Sequence, residues 1–528
     1  MACIFHCGFF LKTRASVILA DLPYILIEVR YIIKPQMKSI QIKSPEIVIS
    51  IVSTGLIGLY LLLFSQESTS TLFLILFLSP VLVGILFFPK SGIFTILLSI
   101  IAWGEKFGGD GINFVSRIDF KIYLLDILLC ATLFSCLLGG VFKKTIQWRT
   151  SFVDKAILLF VVVGLVAAAR GIFTFQNDLN VVFGGLRNHL YALVYFLVFQ
   201  MLKTREDLAG AKTIIYVGTA VGLLFLAIGL ISGEGIWTEK TPLTTSGIRY
   251  ISSVHALYIS TGIILLLASF QEKVSDLPIL KYILFPLWVA ALLFSLVRNL
   301  WISTIFGLIF ILLFTPNLGR KRLFQFLLET TLFIVVPTAL FFLLKGALTG
   351  NLNFISSFFE RISSYSNPEG DISISWRLNS WSEGWNAFKG QILLGRGLGT
   401  VIFPYYEVFW TRIPTQAAAL HNSYLTILVQ LGLIGLTSFL SILTTFFIES
   451  IKIIKKYGVD HPKESGFLVG IGAYIFAYCY GAFFSLYFEL NFLIVAFWII
   501  FGLGVSALSM LDQKMTNSNS GSDLGVDI

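Results

Sequence analysis

The strongest constraint on this chain is a succession of apolar blocks, each near the ~20 residues that an α-helix needs to cross ~30 Å of hydrocarbon. They lie near 46–64, 70–88, 91–103, 122–142, 153–174, 188–202, 212–232, 251–270, 279–297, 299–315, 323–345, 421–447, 466–484 and 487–511, and short polar or basic stretches close them. The third and sixth are short, so the pattern predicts 12–14 spans. Lipid offers no hydrogen-bond partners, so a spanning segment must satisfy its own backbone, and apolar segments of this length do so as helices. The expected fold class is all-α: a polytopic transmembrane protein with one large outer-face loop that contains short helices. Composition excludes a soluble fold, since 56% of residues are hydrophobic and 13% charged, where a soluble domain carries roughly 25% charged.

Orientation follows from Lys and Arg, which short loops retain on the cytoplasmic side. Four basic segments stand out: Lys143, Lys144 and Arg149; Lys203 and Arg205; Arg320, Lys321 and Arg322; Lys452, Lys455 and Lys456. Even numbers of blocks separate them, so all four can face the cytoplasm together. The chain then divides into a cytoplasmic lead (1–45), helices with short loops (46–345), a periplasmic loop (346–420), further helices (421–511) and a disordered cytoplasmic tail (512–528). The tail is rich in Ser, Asn, Gly and Asp and has no core-forming pattern. The lead does not read as a cleavable signal, because Asp21, Glu28 and Arg30 interrupt any apolar core, and Met37 is an alternative start. Five scattered cysteines (Cys3, Cys7, Cys130, Cys136, Cys479) imply neither a disulfide framework nor a zinc site. The net charge of +9 is loop Lys and Arg, and no basic run with interleaved aromatics points to nucleic acid.

This topology sorts the basic residues by type. Between 143 and 463 the cytoplasmic side carries twelve Lys against Arg149, Arg205, Arg320 and Arg322. The outer side carries Arg170, Arg187, Arg249, Arg298, Arg361, Arg377, Arg396 and Arg412 against Lys240, Lys345 and Lys389. Topology does not require Arg there. A planar, permanently charged fork suits phosphate or carboxylate recognition. The plainer alternative is snorkelling Arg paired with loop acids such as Glu360, Glu369, Asp371, Glu383 and Glu407.

Three segments then invite a chemical reading. Trp381, Trp385 and Phe388 recur at i, i+4, i+7, which makes one apolar face of a short helix lying over the membrane domain, either an interfacial belt or a sugar-stacking surface. Leu394-Gly395-Arg396-Gly397-Leu398-Gly399 lacks the βαβ context of a phosphate loop and reads as a tight turn. His421 precedes an apolar block, at an outer helix N-terminus where the dipole disfavours imidazolium, so it is a candidate general base or else a structural, helix-terminal residue. His189 and His255 raise the same question more weakly, while His6 and His461 fall on the cytoplasmic side.

With these residues in view the sequence resembles the bacterial O-antigen ligase and polymerase family of membrane glycosyltransferases. The resemblance is carried by Arg377, Trp385, Phe388 and Leu394-Gly395-Arg396-Gly397, then by His421-Asn422-Ser423-Tyr424-Leu425 and Gly432-Leu433-Ile434-Gly435. Ser295-Leu296-Val297-Arg298-Asn299-Leu300-Trp301 and Arg187 support it upstream, so that it covers roughly 180–445. Val297, Asn299 and Gln430 depart from the family pattern, which leaves the subclass open. The resemblance implies transfer of a glycan from an undecaprenyl diphosphate carrier to an acceptor at the outer face of the inner membrane, with inversion and with no metal or other cofactor. The acceptor would be lipid A core for a ligase, another carrier-linked glycan for a polymerase, or a protein hydroxyl.

Arg guanidinium groups can neutralise a departing diphosphate, and a His poised near neutrality can take the acceptor proton. On that basis Arg187 and Arg298 are assigned to the diphosphate and His421 to base or acceptor positioning. Arg377 is assigned to loop closure, with Arg249, Arg361, Arg396 and Asn422 as further binding candidates. Two classes compete. A lipid-linked glycan transporter or flippase would hold its site near the midplane, whereas these groups cluster at one face. A metal-dependent glycosyltransferase would need paired outer carboxylates, for which only Glu105 and Asp110 offer themselves. A structural scaffold of polysaccharide assembly is a third alternative.

Overall fold

The computed structural model describes residues 44–64, 71–108, 122–143, 148–238, 249–271, 278–332, 336, 372–406, 411–412 and 414–522. Expectations for the lead, for Met37 and for Arg361 lie outside these residues, as do those for Asp110 and all of 346–371. Helices dominate: α1 (Pro45–Phe64), α2 (Thr71–Phe87), α3 (Pro89–Gly108), α4 (Leu124–Lys143), α5 (Asp154–Phe173), α6 (Leu179–Leu190), α7 (Val194–Met201) and α8 (Arg205–Ser232). They continue as α9 (Ser253–Ala268), α10 (Pro278–Phe294), α11 (Arg298–Phe314), α12 (Asn317–Thr330), α13 (Ile372–Lys389), α14 (Ser423–Tyr457), α15 (Pro462–Gly481) and α16 (Asn491–Ser522).

Each of the fourteen apolar blocks overlaps a helix, the eleventh through α12, and the sixth block joins α6 and α7 across a single 3-10 turn, Tyr191–Leu193. Among the described residues, six helical segments are long and apolar enough to cross a membrane: α1, α5, α6 with α7, α8, α14 and α16. Shorter apolar stretches occupy α2, α4, α9, α10 and α11. The all-α polytopic architecture is thus present in the described residues. The departures are two pairs of two-residue strands, Val401–Ile402 with Thr415–Gln416 and Tyr405–Tyr406 with Thr411–Arg412.

Local sequence sets the helix ends. Thr204 and Asp207 form a reciprocal capping box at the start of α8, and Gly233 closes that helix in the left-handed conformation. Asp207 also pairs with Lys90 at 2.7 Å, which ties α8 to the start of α3. The centre of the bundle is α16: 94% of its apolar window is buried, as expected for a helix that is hydrophobic all round. By contrast α5 leaves Leu158, Leu159, Val162 and Leu165 about half exposed, the surface that lipid covers. Past residue 511, α16 continues to Ser522, through the segment that composition assigns to a tail. Extending an existing helix costs far less than starting one, so a buried stem can carry a polar end.

The helix α14 is broken within its length. Gly432 sits inside α14 at φ 67°, ψ −166°, so the normal helical bonds of that turn are lost. The segment Gln391–Gly399 enters the gap. Arg396 N–H donates to the Val429 carbonyl (2.8 Å) and Gly397 N–H to that of Gln430 (3.0 Å), while Leu433 N–H donates to the Ile392 carbonyl (2.9 Å) and Ile434 N–H to that of Leu393 (3.2 Å). The loop supplies partners for four backbone groups at the break, which is how non-helical backbone survives within a spanning helix. The approach needs glycine: a Cβ on Gly432 would stand 2.3 Å from the Leu393 oxygen, and one on Gly397 would stand 2.4 Å from the Gly171 nitrogen. The glycine run is therefore more than a tight turn. It is an insertion that joins α14 to the end of α5, with Leu398 N–H donating to the Ala167 carbonyl at 3.0 Å.

Candidate functional site

The three leading candidates, Arg187, Arg298 and His421, lie on different helices, and their sequence neighbours meet at one turn. That turn runs from the end of α15 to the start of α16. From α6, Asn188 Nδ2 donates to the Glu489 carbonyl at 2.5 Å. From α11, Asn299 Nδ2 donates to the Gly481 carbonyl (3.2 Å) and to Ser485 Oγ (3.0 Å). From α14, Ser423 N–H donates to the Ala482 carbonyl (2.9 Å), and Ser423 Oγ donates to the Glu489 carboxylate (2.6 Å). The turn thus brings the helix ends bearing all three candidates into one neighbourhood, at the end of the bundle opposite the lysine-rich segments.

Each candidate is also held locally. Arg187 lies 3.7 Å from Asp126 Oδ2 and stacks over the Tyr123 ring at 4.2 Å. Tyr191 donates to the other Asp126 oxygen at 2.5 Å, so the carboxylate is aimed from both sides. Arg298 opens α11 just after Leu296, a residue held at φ 52°, in the left-handed region that side chains rarely adopt. Trp301 Nε1 donates back to the Leu292 carbonyl at 2.9 Å and locks that corner.

His421 has the same left-handed conformation, φ 51°. Its ring meets the Trp376 ring edge-on at 4.9 Å. Burial first, and the Arg377 guanidinium second, lower its pKa to about 4. The imidazole is therefore neutral at pH 7, as expected from its position, but the cause is enclosure first and Arg377 second. Asn422 is the N-cap of α14, its Oδ1 accepting from Leu425 N–H at 3.0 Å.

The aromatic stripe on α13 divides. Trp381 Nε1 donates to the carbonyl of Leu420, next to His421, at 2.8 Å. Trp381 and Phe388 pack in a small core with Ile402, Leu420, Leu425 and Val429. Trp385, by contrast, is 46% exposed, so the expected continuous buried face holds at two of its three positions. Arg396 lies in the inserted loop, stacked over Phe175 at 5.9 Å. Arg249 is half-buried just before α9. Of the other histidines, His255 has both ring nitrogens engaged, with Ser252 Oγ at 2.7 Å and the Ala102 carbonyl at 2.9 Å, and is structural.

His189 borders a cavity of about 40 Å³ that Asn188, Thr426, Gln430 and Glu489 also line, among Phe160, Phe439, Phe488 and Trp498. The volume suits a few water molecules. Enclosure there pushes the Glu489 carboxyl up to about 7, against hydrogen bonds from Ser423 and Thr426 that pull it down. Glu489 is the residue that sequence reasoning missed. A lone acid at the start of an apolar block carries no motif, and its partners are more than sixty residues away in the chain. Among the described residues, no group of three His, Cys, Asp or Glu side chains is placed to share a metal ion.

Fold and site together define a polytopic helical membrane protein. The family model described as O-antigen ligase matches residues 283–440, so the stretch from α10 into α14 is similar to that family. The match takes in Arg298, Arg377, Arg396, His421 and Asn422 and leaves Arg187, Arg249 and Glu489 outside. No curated protein matches the chain.

Proposed function

We propose that this protein transfers a glycan from an undecaprenyl diphosphate carrier to lipid A core at the periplasmic face of the bacterial inner membrane, as an O-antigen ligase. The observation that supports it is the convergence of the Arg187, Arg298 and His421 helix ends on the turn 481–489. Two permanent cations and a neutral imidazole in one neighbourhood are what an inverting, metal-independent displacement needs. The acceptor O–H bond breaks as its oxygen attacks the anomeric carbon, and the proton passes to His421. The C–O bond to diphosphate breaks on the opposite side, and Arg187 and Arg298 take up the charge that develops on phosphate oxygen. A lowered pKa makes His421 a weak base when the site is empty, and a bound diphosphate opposes that by stabilising imidazolium. Arg377, on the helix that packs over His421, closes the site; Arg249, Arg361 and Asn422 contact donor or acceptor.

The test is transfer by the purified full-length chain in nanodiscs, with undecaprenyl-diphosphate-linked glycan as donor and lipid A core as acceptor, in excess chelator. Transfer is expected to persist, and Arg298→Lys to fail as Arg298→Ala does, because Lys lacks the bidentate fork. Elongation of carrier-linked glycan with untouched lipid A would make the protein a polymerase. Donor binding without transfer to either acceptor would overturn the assignment.

A further inference from the structure

Away from the turn 481–489, two arginines share one aromatic ring with no carboxylate paired to them among the described residues. Arg170 lies in the last turn of α5 and Arg396 in the inserted loop, their guanidinium carbons 5.6 and 5.9 Å from the centre of the Phe175 ring. Such contacts are worth only ~0.5–1 kcal/mol each at an exposed site, too little to account for two cations drawn together. Arg170 Nη2 donates to Gln391 Oε1 (3.2 Å) and to the Gly395 carbonyl (3.1 Å), which positions the charge without neutralising it. Its Nε is buried and donates no hydrogen bond among the described residues. Among the described residues neither guanidinium pairs with an acid. Asp178, the acid nearest in sequence, is spent on capping α6, where its Oδ1 accepts from Asn180 and Val181.

The surroundings say what kind of anion fits. Phe173 is 81% exposed and Leu393 64%, with Ile392 and Leu179 about half exposed, at the end of a span. Acyl chains cover such surface, and a lipid phosphate sits at that depth. Guanidinium forks match phosphate oxygens in charge and geometry. We propose that Arg170 and Arg396 bind the phosphate of a membrane lipid whose acyl chains lie along Phe173, Ile392 and Leu393. This site is separate from the transfer reaction, and its test needs no turnover.

The full-length chain in detergent is titrated with dioleoyl phosphatidic acid, with dioleoylglycerol, which has the same tails and no phosphate, and with inorganic phosphate, and retained ligand is read by native mass spectrometry. Phosphatidic acid should be retained and dioleoylglycerol not, and millimolar inorganic phosphate should fail to displace it. Loss of one charge-assisted contact should weaken phosphatidic acid roughly tenfold or more in Arg396→Ala and in Arg170→Gln. Arg170 anchors the loop, so thermal unfolding is measured alongside. Should Arg170→Gln unfold, Arg396→Ala decides, since its guanidinium makes no hydrogen bond among the described residues. Unchanged phosphatidic acid binding in a folded Arg396→Ala would overturn the proposal, and so would displacement by inorganic phosphate, which would assign the pair to a free anion.

Discussion

His421 and Glu489 are displaced from their ordinary ionisation in opposite senses by the same cause, enclosure, and their consequences for stability differ in sign. The His421 pKa falls from 6.5 to about 4. Between those values the unfolded chain binds the proton and the folded one does not, so its contribution is complete above pH 6.5 and is lost as pH falls toward 4. The Glu489 pKa rises from 4.5 to about 7. There the folded chain holds the extra proton, so its contribution is complete below pH 4.5 and is lost as pH rises through 7. Glu489→Gln keeps an acceptor for the Ser423 hydroxyl and removes the titration. The unfolding midpoint of Glu489→Gln in detergent is expected to stay level from pH 5 to 7.5 relative to wild type, whose Glu489 term declines across that window. A wild-type curve parallel to the variant's would show that Glu489 does not titrate there. His421→Gln should shed the opposite slope, gaining on wild type as pH drops from 6.5 toward 4.

At the scale of elements, the break in α14 and the loop that fills it act as one unit, because four backbone bonds cross between them. Gly432→Ala places a Cβ 2.3 Å from the Leu393 carbonyl oxygen, at a φ of 67° that alanine disfavours. Backbone cannot yield as a flexible side chain would, so the loop must leave or the helix must shift, at a cost of at least a few kcal/mol. The expected result is proteolytic cleavage between 390 and 399 that wild type resists, together with a lower unfolding midpoint; equal resistance would show that α14 tolerates the methyl. The glycines at 395, 397 and 399 were legible as turn-formers, while Gly432 stood inside an apolar block and was legible only as part of the family resemblance. Their partnership was not, since the loop and the break are separated in sequence and backbone pairing leaves no side-chain signature. The i, i+4, i+7 stripe on α13 was legible for a related reason in reverse: periodicity is local. It could not say that Trp385 would stay half exposed, because that depends on how far the small core beneath Trp381 and Phe388 extends.

Across the whole molecule, hydropathy located the helices because span length is set by the bilayer and is written into each block independently of the others. Arg187, Arg298 and His421 were legible as candidates through residue type and position. The device that gathers them was not, because it consists of an asparagine, another asparagine and a serine reaching one turn from three helices far apart in the chain. If that turn is a common brace, the tethers should not act independently. Losing Asn188 Nδ2 or Asn299 Nδ2 leaves backbone carbonyls of the turn without their donors, at roughly 1–3 kcal/mol each. Once one tether is gone the turn is free to move, and removing the second should then cost less than it does alone. The double variant Asn188→Ala/Asn299→Ala is expected to be more stable than the sum of the two single losses implies, by about 0.5–3 kcal/mol. Its transfer rate should likewise be little worse than that of the poorer single variant. Strict additivity in both unfolding and rate would mean that α6 and α11 are each fixed by their own packing, and that the turn follows them.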